Sequence, residues 1–190
     1  MRFSLTERQR FKQQAERVLH VPGNYTGGIL EMALVLDMRI PEAELKETAA
    51  ELSKTLKQHS EVFRNVRLNL AEWRPGEKLT SRVVPMPMLQ MGSFLEDGSS
   101  PARGDVPERE ALLADVLFGY LKLFQARSKL ILIVTAGGVQ IREEEACQKA
   151  LKPFLGRKLI WMAGDPEPVM EPFLQKERCG YLNLCQEEEK

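Results

Sequence analysis

The residues of this chain that could do chemistry share one position: each closely follows a run of apolar residues. They are Asp37 and Arg39 after the first run, Thr135 and Gly137 at the end of the second, and Asp165 after the third. If the runs are parallel strands, their carboxyl ends meet at one edge of a sheet, so these side chains should lie close together. Paired carboxylates can hold a metal ion or act in acid–base catalysis. We call this edge, with these five residues, the strand-end rim.

The segments with the composition of β-strands differ in how polar they are. Segment 66–70 alternates apolar with polar residues, which predicts a strand with one more exposed face. Segment 82–91 is largely apolar, but Pro85 and Pro87 remove two backbone donors and therefore place it at the edge of a sheet. Nearly unbroken apolar runs suit strands covered on both faces, as in a parallel sheet. These runs are 29–36, 129–135 and 158–162, and a short last strand is expected at 181–184.

Amphipathic stretches fill the gaps between the predicted strands. One begins at Pro41 and places Leu45, Ala49, Leu52 and Leu56 on a single face. Further helices are expected at about 6–19, from a capping box at 105–108 through residue 124, over about 143–154, and within 168–177. Strands that alternate with helices predict a doubly wound α/β fold with helices on both sides of a mostly parallel sheet. We expect a single domain over residues 1–190, with a frayed tail at 186–190.

This pattern resembles a von Willebrand factor A-type domain, the fold also known from the inserted domains of integrins. The resemblance covers 29–184 and rests on an apolar strand ending in Asp37, a third strand with prolines, and a strand ending in Thr135-Ala-Gly137. It implies a six-stranded sheet of order 3-2-1-4-5-6 with an antiparallel third strand at its edge. It also implies a scaffold or adaptor role, in which the partner is another protein, as in assemblies of several subunits or those that contain an ATPase.

Members of that family hold a magnesium or manganese ion at the strand-end rim, and the ion accepts a carboxylate from the partner. The ligands come from a D-x-S-x-S segment, a threonine in a middle loop and a T-D-G segment. In this chain Asp37 matches the leading aspartate, and Thr135 and Gly137 match the last segment. The middle loop has no threonine, but Ser99 or Ser100 offers a hydroxyl there.

Three substitutions remove ligands from this pattern. Arg39 and Pro41 occupy the two serine positions, and Ala136 replaces the second aspartate. Magnesium needs near-octahedral oxygen ligands, which proline and alanine side chains lack. At an effective dielectric constant near 20, unit charges 4 Å apart interact by about 4 kcal/mol, and a divalent ion would be repelled by arginine about twice as strongly. We therefore expect no metal and no other cofactor.

Two interpretations of Asp37 and Arg39 follow. In the first, Asp37 accepts backbone N–H bonds at the start of the helix that begins near Pro41, and Arg39 is a solvated cation of the loop. In the second, Arg39 replaces the metal as the positive centre. It pairs with Asp37 in the free protein and with a carboxylate of the partner in the complex, a task that suits the planar guanidinium.

Composition narrows the function classes. The chain has 27 basic and 27 acidic residues, and this balance argues against a protein that coats nucleic acid. No apolar run approaches the ~20 residues that cross a membrane, and the first residues are charged where a signal peptide is apolar, so we expect a cytoplasmic protein. The spacing of Cys147, Cys179 and Cys185 fits neither a redox pair nor a zinc site.

The sequence thus predicts a non-enzymatic, cytoplasmic module for protein–protein interaction or scaffolding, without catalytic residues. Its partner would be another protein, bound by the strand-end rim or by the proline-containing edge strand, and neither nucleic acid nor a membrane. At the rim the partner would contact Asp37, Arg39, Ser99, Ser100, Thr135 and Gly137. One alternative is a small-ligand-binding protein or an enzyme that uses Asp37, Thr135 and Asp165. Another is an atypical adhesion domain that depends on a divalent metal.

Overall fold

The computed structural model describes residues 5–19, 30–58, 66–76, 83–87, 110–154, 158–164, 169–176 and 180–183. Helices and strands alternate along most of this part of the chain. In order they are α1 (Leu5–Leu19), β1 (Leu30–Asp37), α2 (Glu42–Gln58), β2 (Val66–Trp73), β3 (Val83–Pro87), α3 (Leu113–Asp115, Val116–Leu121 and Lys122–Phe124), β4 (Leu130–Thr135), α4 (Glu144–Leu151, continued by a 3₁₀ turn, Lys152–Phe154), β5 (Leu159–Ala163), α5 (Met170–Lys176) and β6 (Gly180–Asn183).

The strands form one sheet in the order β3-β2-β1-β4-β5-β6. β1 lies parallel to both β2 and β4, and β5 lies parallel to β4 and β6. β3 is antiparallel to β2 at the edge, where its prolines fall. The predicted α/β class, with a mostly parallel sheet flanked by helices, is confirmed. The chain leaves β1 in one direction to reach β2 and later returns to the other side of β1 as β4, so the topological switch point lies between β1 and β4.

Each face of the sheet packs against its own set of helices. Along β1, alternate residues point to opposite faces, so Met32 and Leu34 join one apolar cluster while Ala33 and Val35 join the other. α1 and α2 cover the first face, as the buried stripe predicted from Pro41 requires. α3, α4 and α5 cover the second. The doubly wound arrangement therefore follows from the burial of both faces of β1.

The start of α3 differs from the sequence prediction. We expected this helix to begin with a capping box at 105–108, but 105–109 lie outside the described residues and the helix begins only at Leu113. Leu112 is extended and bridges to Gln140. The N–H of Leu113 donates to the carbonyl of Gln140 at 2.9 Å, and the N–H of Gln140 donates to the carbonyl of Ala111 at 2.8 Å. A helix through residues 111–112 would lose these two hydrogen bonds.

α3 also departs from regular α-helical geometry. Its middle segment, Val116–Leu121, is π-helical between two short α-helical pieces. The Tyr120 hydroxyl donates to the carbonyl of Glu72 and so ties this segment to the end of β2. Phe118 and Leu123 remain largely exposed on α3.

The remaining elements lie close to their predicted positions. Phe11 and Ala15 of α1 are buried as expected, whereas the side chains of residues 18 and 19 lie outside the described set. The apolar stripe of α2 is buried, and so are Cys147 and Leu151 of α4. In the described part of the chain, no helix is both long and apolar enough to cross a membrane.

Candidate functional site at the strand-end rim

The rim is centred on the ends of β1 and β4, at the switch point of the sheet. Asp37 is the last residue of β1 and Thr135 the last residue of β4. The two strands pair in register as far as Leu36 and Val134, so their terminal side chains are neighbours. The predicted juxtaposition of Asp37 with Thr135 therefore arises directly from the sheet.

The carboxylate of Asp37 is fully buried and accepts hydrogen bonds from several donors. Oδ1 accepts the backbone N–H of Arg39 at 3.0 Å. Oδ2 accepts the hydroxyl of Thr135 at 2.8 Å and the backbone N–H of Ala136 at 3.1 Å. Buried charges are stable only when they are paired and hydrogen-bonded, and this carboxylate is both.

The cation that pairs with Asp37 is Arg39. Its Nε lies 3.1 Å from both carboxylate oxygens, and its Nη2 lies 2.6 Å from Oδ2. The same Nη2 donates to the carbonyl of Gly137 at 2.8 Å and approaches Oγ1 of Thr135 at 3.4 Å. The Arg39 side chain is only 22% exposed. The guanidinium thus joins the ends of β1 and β4 from inside the rim.

The indole ring of Trp73 completes the surroundings of Arg39. Trp73, the last residue of β2, is paired in register with Asp37, and its carbonyl accepts the N–H of Met38 at 2.9 Å. The guanidinium carbon of Arg39 lies 5.9 Å from the centroid of the ring, a cation–π distance. Sequence reasoning missed Trp73 because the predicted strand ended at 70. The strict alternation stops at Leu70, but Ala71 and Trp73 are also apolar, and these two residues are the signal that could have extended the strand.

The helix-capping interpretation of Asp37 is wrong. α2 begins at Glu42, while the carboxylate accepts the N–H groups of Arg39 and Ala136 and, among the described residues, none from α2. Arg39 is likewise not a solvated cation, because Asp37, Gly137 and Trp73 surround its guanidinium. The pairing of Arg39 with Asp37 that the second interpretation required is present. The carboxylate of a partner remains a prediction.

A divalent cation does not fit the rim. Both oxygens of Asp37 already accept hydrogen bonds, and the Nη2 atom of Arg39 lies 2.6 Å from Oδ2, where a cation would bind. Ala136 contributes its N–H group, a donor, rather than a ligand oxygen. Across the residues that the structure describes, no three His, Cys, Asp or Glu side chains come together in a group that could hold a metal ion.

Three of the candidate residues belong to segments that the structure does not describe. Ser99, Ser100 and Asp165 lie outside the described residues, so the middle-loop hydroxyl and the pair of carboxylates formed by Asp37 and Asp165 remain predictions. Gly137, in contrast, is buried at the rim, and its N–H donates to Oγ1 of Thr135 at 3.1 Å. The structure therefore brings together Asp37, Arg39, Thr135 and Gly137.

Among the residues that the structure describes, two groups away from the rim have raised pKa values. Burial raises the pKa of the Cys147 thiol, and the nearby negative charge of Glu143 raises it further. Burial also raises the pKa of Asp115. Because the thiolate is the reactive form of cysteine, the environment of Cys147 fits the structural thiol predicted from sequence rather than a nucleophile.

The sequence matches no protein-family model, and no curated protein matches it either. The fold alone does not define an activity, because one fold can host many functions.

Proposed function

We propose that this chain is a non-enzymatic protein–protein interaction or scaffold module with a von Willebrand A-like fold, in which an arginine replaces the metal ion. The strand order, the antiparallel β3 at the edge and the positions of Asp37 and Thr135 at the switch point support the likeness. By the same likeness, the partner is a protein of a larger assembly, such as one that contains an ATPase, in the cytoplasm.

The observation that carries this proposal is the position of the Arg39 guanidinium. It lies among Asp37, Thr135 and Gly137, the residues that match the metal-binding pattern of the family. A fixed positive group at this point can receive a negatively charged partner without a metal. Its pairing with Asp37 holds it in place before the partner arrives, which lowers the entropy lost on binding.

The hydrogen-bonding capacity left on Arg39 favours a carboxylate as the group received. A guanidinium has five N–H donors in a fixed plane. Nε and Nη2 of Arg39 bind Asp37 and Gly137, whereas Nη1 makes no hydrogen bond to any described residue. Arginine forms strong, charge-assisted hydrogen bonds with carboxylates, whose two oxygens match its planar geometry.

The state of Asp37 argues against the enzyme alternative. A general base must accept a proton from a substrate, but both oxygens of Asp37 are buried and hydrogen-bonded to Arg39, Thr135 and Ala136. The poor fit of a divalent ion in turn argues against the metal-dependent adhesion domain.

The test is capture of binding proteins by the tagged chain of residues 1–190, with purified partner then titrated by calorimetry. Arg39→Ala leaves a buried carboxylate unpaired, so the informative variant is Asp37→Asn with Arg39→Gln, which removes both charges together. Arg142→Gln is the matched control, since Arg142 is an exposed arginine in the segment after β4.

We expect the double variant to bind the partner at least about tenfold more weakly, and Arg142→Gln to bind it like the natural chain. Chelation of divalent cations should leave the affinity unchanged. Circular dichroism confirms that each variant is folded. Undiminished binding by a folded double variant would refute the role of Arg39, and affinity that requires Mg²⁺ or Mn²⁺ would favour the adhesion domain.

A further inference from the structure

We propose that the peptide group between Gly137 and Gly138 competes with the partner's carboxylate for Arg39, and that binding turns this peptide away. The inference rests on the proposed function, because it concerns how the same guanidinium is made available. In the free protein the carbonyl of Gly137 accepts a hydrogen bond from Nη2 of Arg39, and on binding a carboxylate of the partner takes its place.

The competition arises from the geometry of the guanidinium. Its plane offers two edges on which a carboxylate can bind with both oxygens, one formed by Nε and Nη2 and the other by Nη1 and Nη2. Asp37 occupies the first edge. On the second, Nη2 already donates to the carbonyl of Gly137 at 2.8 Å. A second carboxylate can therefore bind through two hydrogen bonds only if this carbonyl leaves.

The two glycines allow the carbonyl to leave without movement of the whole loop. Gly137 has a φ of 101° and Gly138 a φ of 64°. Rotation of the peptide between them changes ψ of Gly137 and φ of Gly138 together. Gly138 then moves from the left-handed region to a negative φ that any residue adopts, while Gly137 keeps its positive φ.

The neighbouring contacts confine the motion to this peptide. The N–H of Gly137 donates to Oγ1 of Thr135 at 3.1 Å, which holds the chain before the turning group. Gln140 is tied on the other side by its hydrogen bond to Ala111 at 2.8 Å. Gly138 itself is exposed, and a Cβ built on it meets no atom within 4 Å.

The first experiment uses acetate as the probe of a carboxylate, with chloride at equal ionic strength as the reference. Nitrogen-15 spectra of the chain of residues 1–190 report the guanidinium of Arg39 and the amide of Gly138, whose N–H belongs to the turning peptide. We expect acetate to shift both signals with the same dissociation constant. A shift of Arg39 alone would overturn this inference and leave the proposed function standing, whereas no shift of either signal would overturn both.

The second experiment changes the balance between the two peptide orientations. Gly138→Ala strains the closed orientation through its positive φ but not the turned one, so we expect acetate to bind about fivefold more tightly. Gly76→Ala is the matched control, because Gly76 has a similar φ of 74° outside this loop. It should leave acetate binding unchanged. Equal acetate affinity in the natural chain and Gly138→Ala would overturn the inference.

Discussion

Two of the arginine–carboxylate pairs that the structure describes differ in burial. Arg39 pairs with Asp37, with side chains 22% and 0% exposed, whereas Arg142 pairs with Glu110, with side chains 64% and 45% exposed. The first pair has further hydrogen bonds to β4 and to the loop after it. Both pairs satisfy the same distance criterion for an ion pair. The two pairs contain the same charged groups and differ in how far those groups are exposed to water.

The difference matters because exposure to water determines how much an ion pair contributes to the stability of the fold. At the surface, each charge keeps its hydration when its partner is removed, and the pair adds ~0–1 kcal/mol. Inside, removal of one partner leaves a charge that neither water nor protein compensates. Asp37 and Arg39 should therefore depend on each other for stability, whereas Glu110 and Arg142 should not.

The largest expected effect is that of Arg39→Ala. It removes the cation and all the hydrogen bonds that Asp37 receives from this side chain, so we expect the free energy of unfolding to fall by about 3 kcal/mol. Arg142→Ala should lower it by less than about 1 kcal/mol. Urea unfolding followed by circular dichroism measures both. Similar losses for the two variants would mean that burial does not distinguish the pairs.

A smaller loss is expected for Thr135→Val. Valine keeps the shape of threonine in β4, but Asp37 loses a hydroxyl donor at 2.8 Å and the N–H of Gly137 loses its acceptor at 3.1 Å. Because these groups are buried, we expect a loss of about 2 kcal/mol.

Thr48→Val is the matched control for that change. The buried hydroxyl of Thr48 donates at 2.8 Å to the carbonyl of Glu44 within α2, a bond that adds little to a helix. Chemical denaturation of the two variants side by side should show the greater loss at Thr135. If the Thr48 variant lost as much, the rim would not be a coupled network.

The smallest expected effect is the response to salt. At 1 M ionic strength the screening length falls to ~3 Å, so the exposed pair should lose its coupling energy. A double-mutant cycle on Glu110 and Arg142 measures that energy at low and high salt. The cost of Arg39→Ala should persist in 1 M NaCl, since solvent ions do not reach Asp37. A cost that disappears in salt would indicate that this carboxylate is exposed in solution.

Much of the fold was predictable because the spacing of apolar residues can be read from the sequence alone. The run 129–135 predicted β4, and the stripe from Leu45 to Leu56 predicted the buried face of α2. Each pattern reflects only which face of the helix or strand is buried in the core. The start of α3 was not predictable in this way. It is set by pairing with Gln140, a residue distant in sequence that carries no local signal.

The sequence predicted where the rim lies but not which hydrogen bonds connect its residues. Strand ends located Asp37 and Thr135, and the arginine in a serine position raised the question of a substitute cation. The sequence could not choose between a capped helix and an ion pair, because both use the same loop. Trp73 was missed, since its contact with Arg39 joins residues from neighbouring strands.

The amino-acid sequence alone determined the α/β class, the ends of β1 and β4, and the absence of side-chain oxygens at Pro41 and Ala136, because residue type and spacing encode burial and available oxygens. Only the tertiary structure decided what Arg39 does. The bonds from its side chain to Gly137 and Thr135 exist because β4 returns beside β1. Chain topology brings these atoms within reach, and burial then makes their hydrogen bonds strong enough to fix the guanidinium.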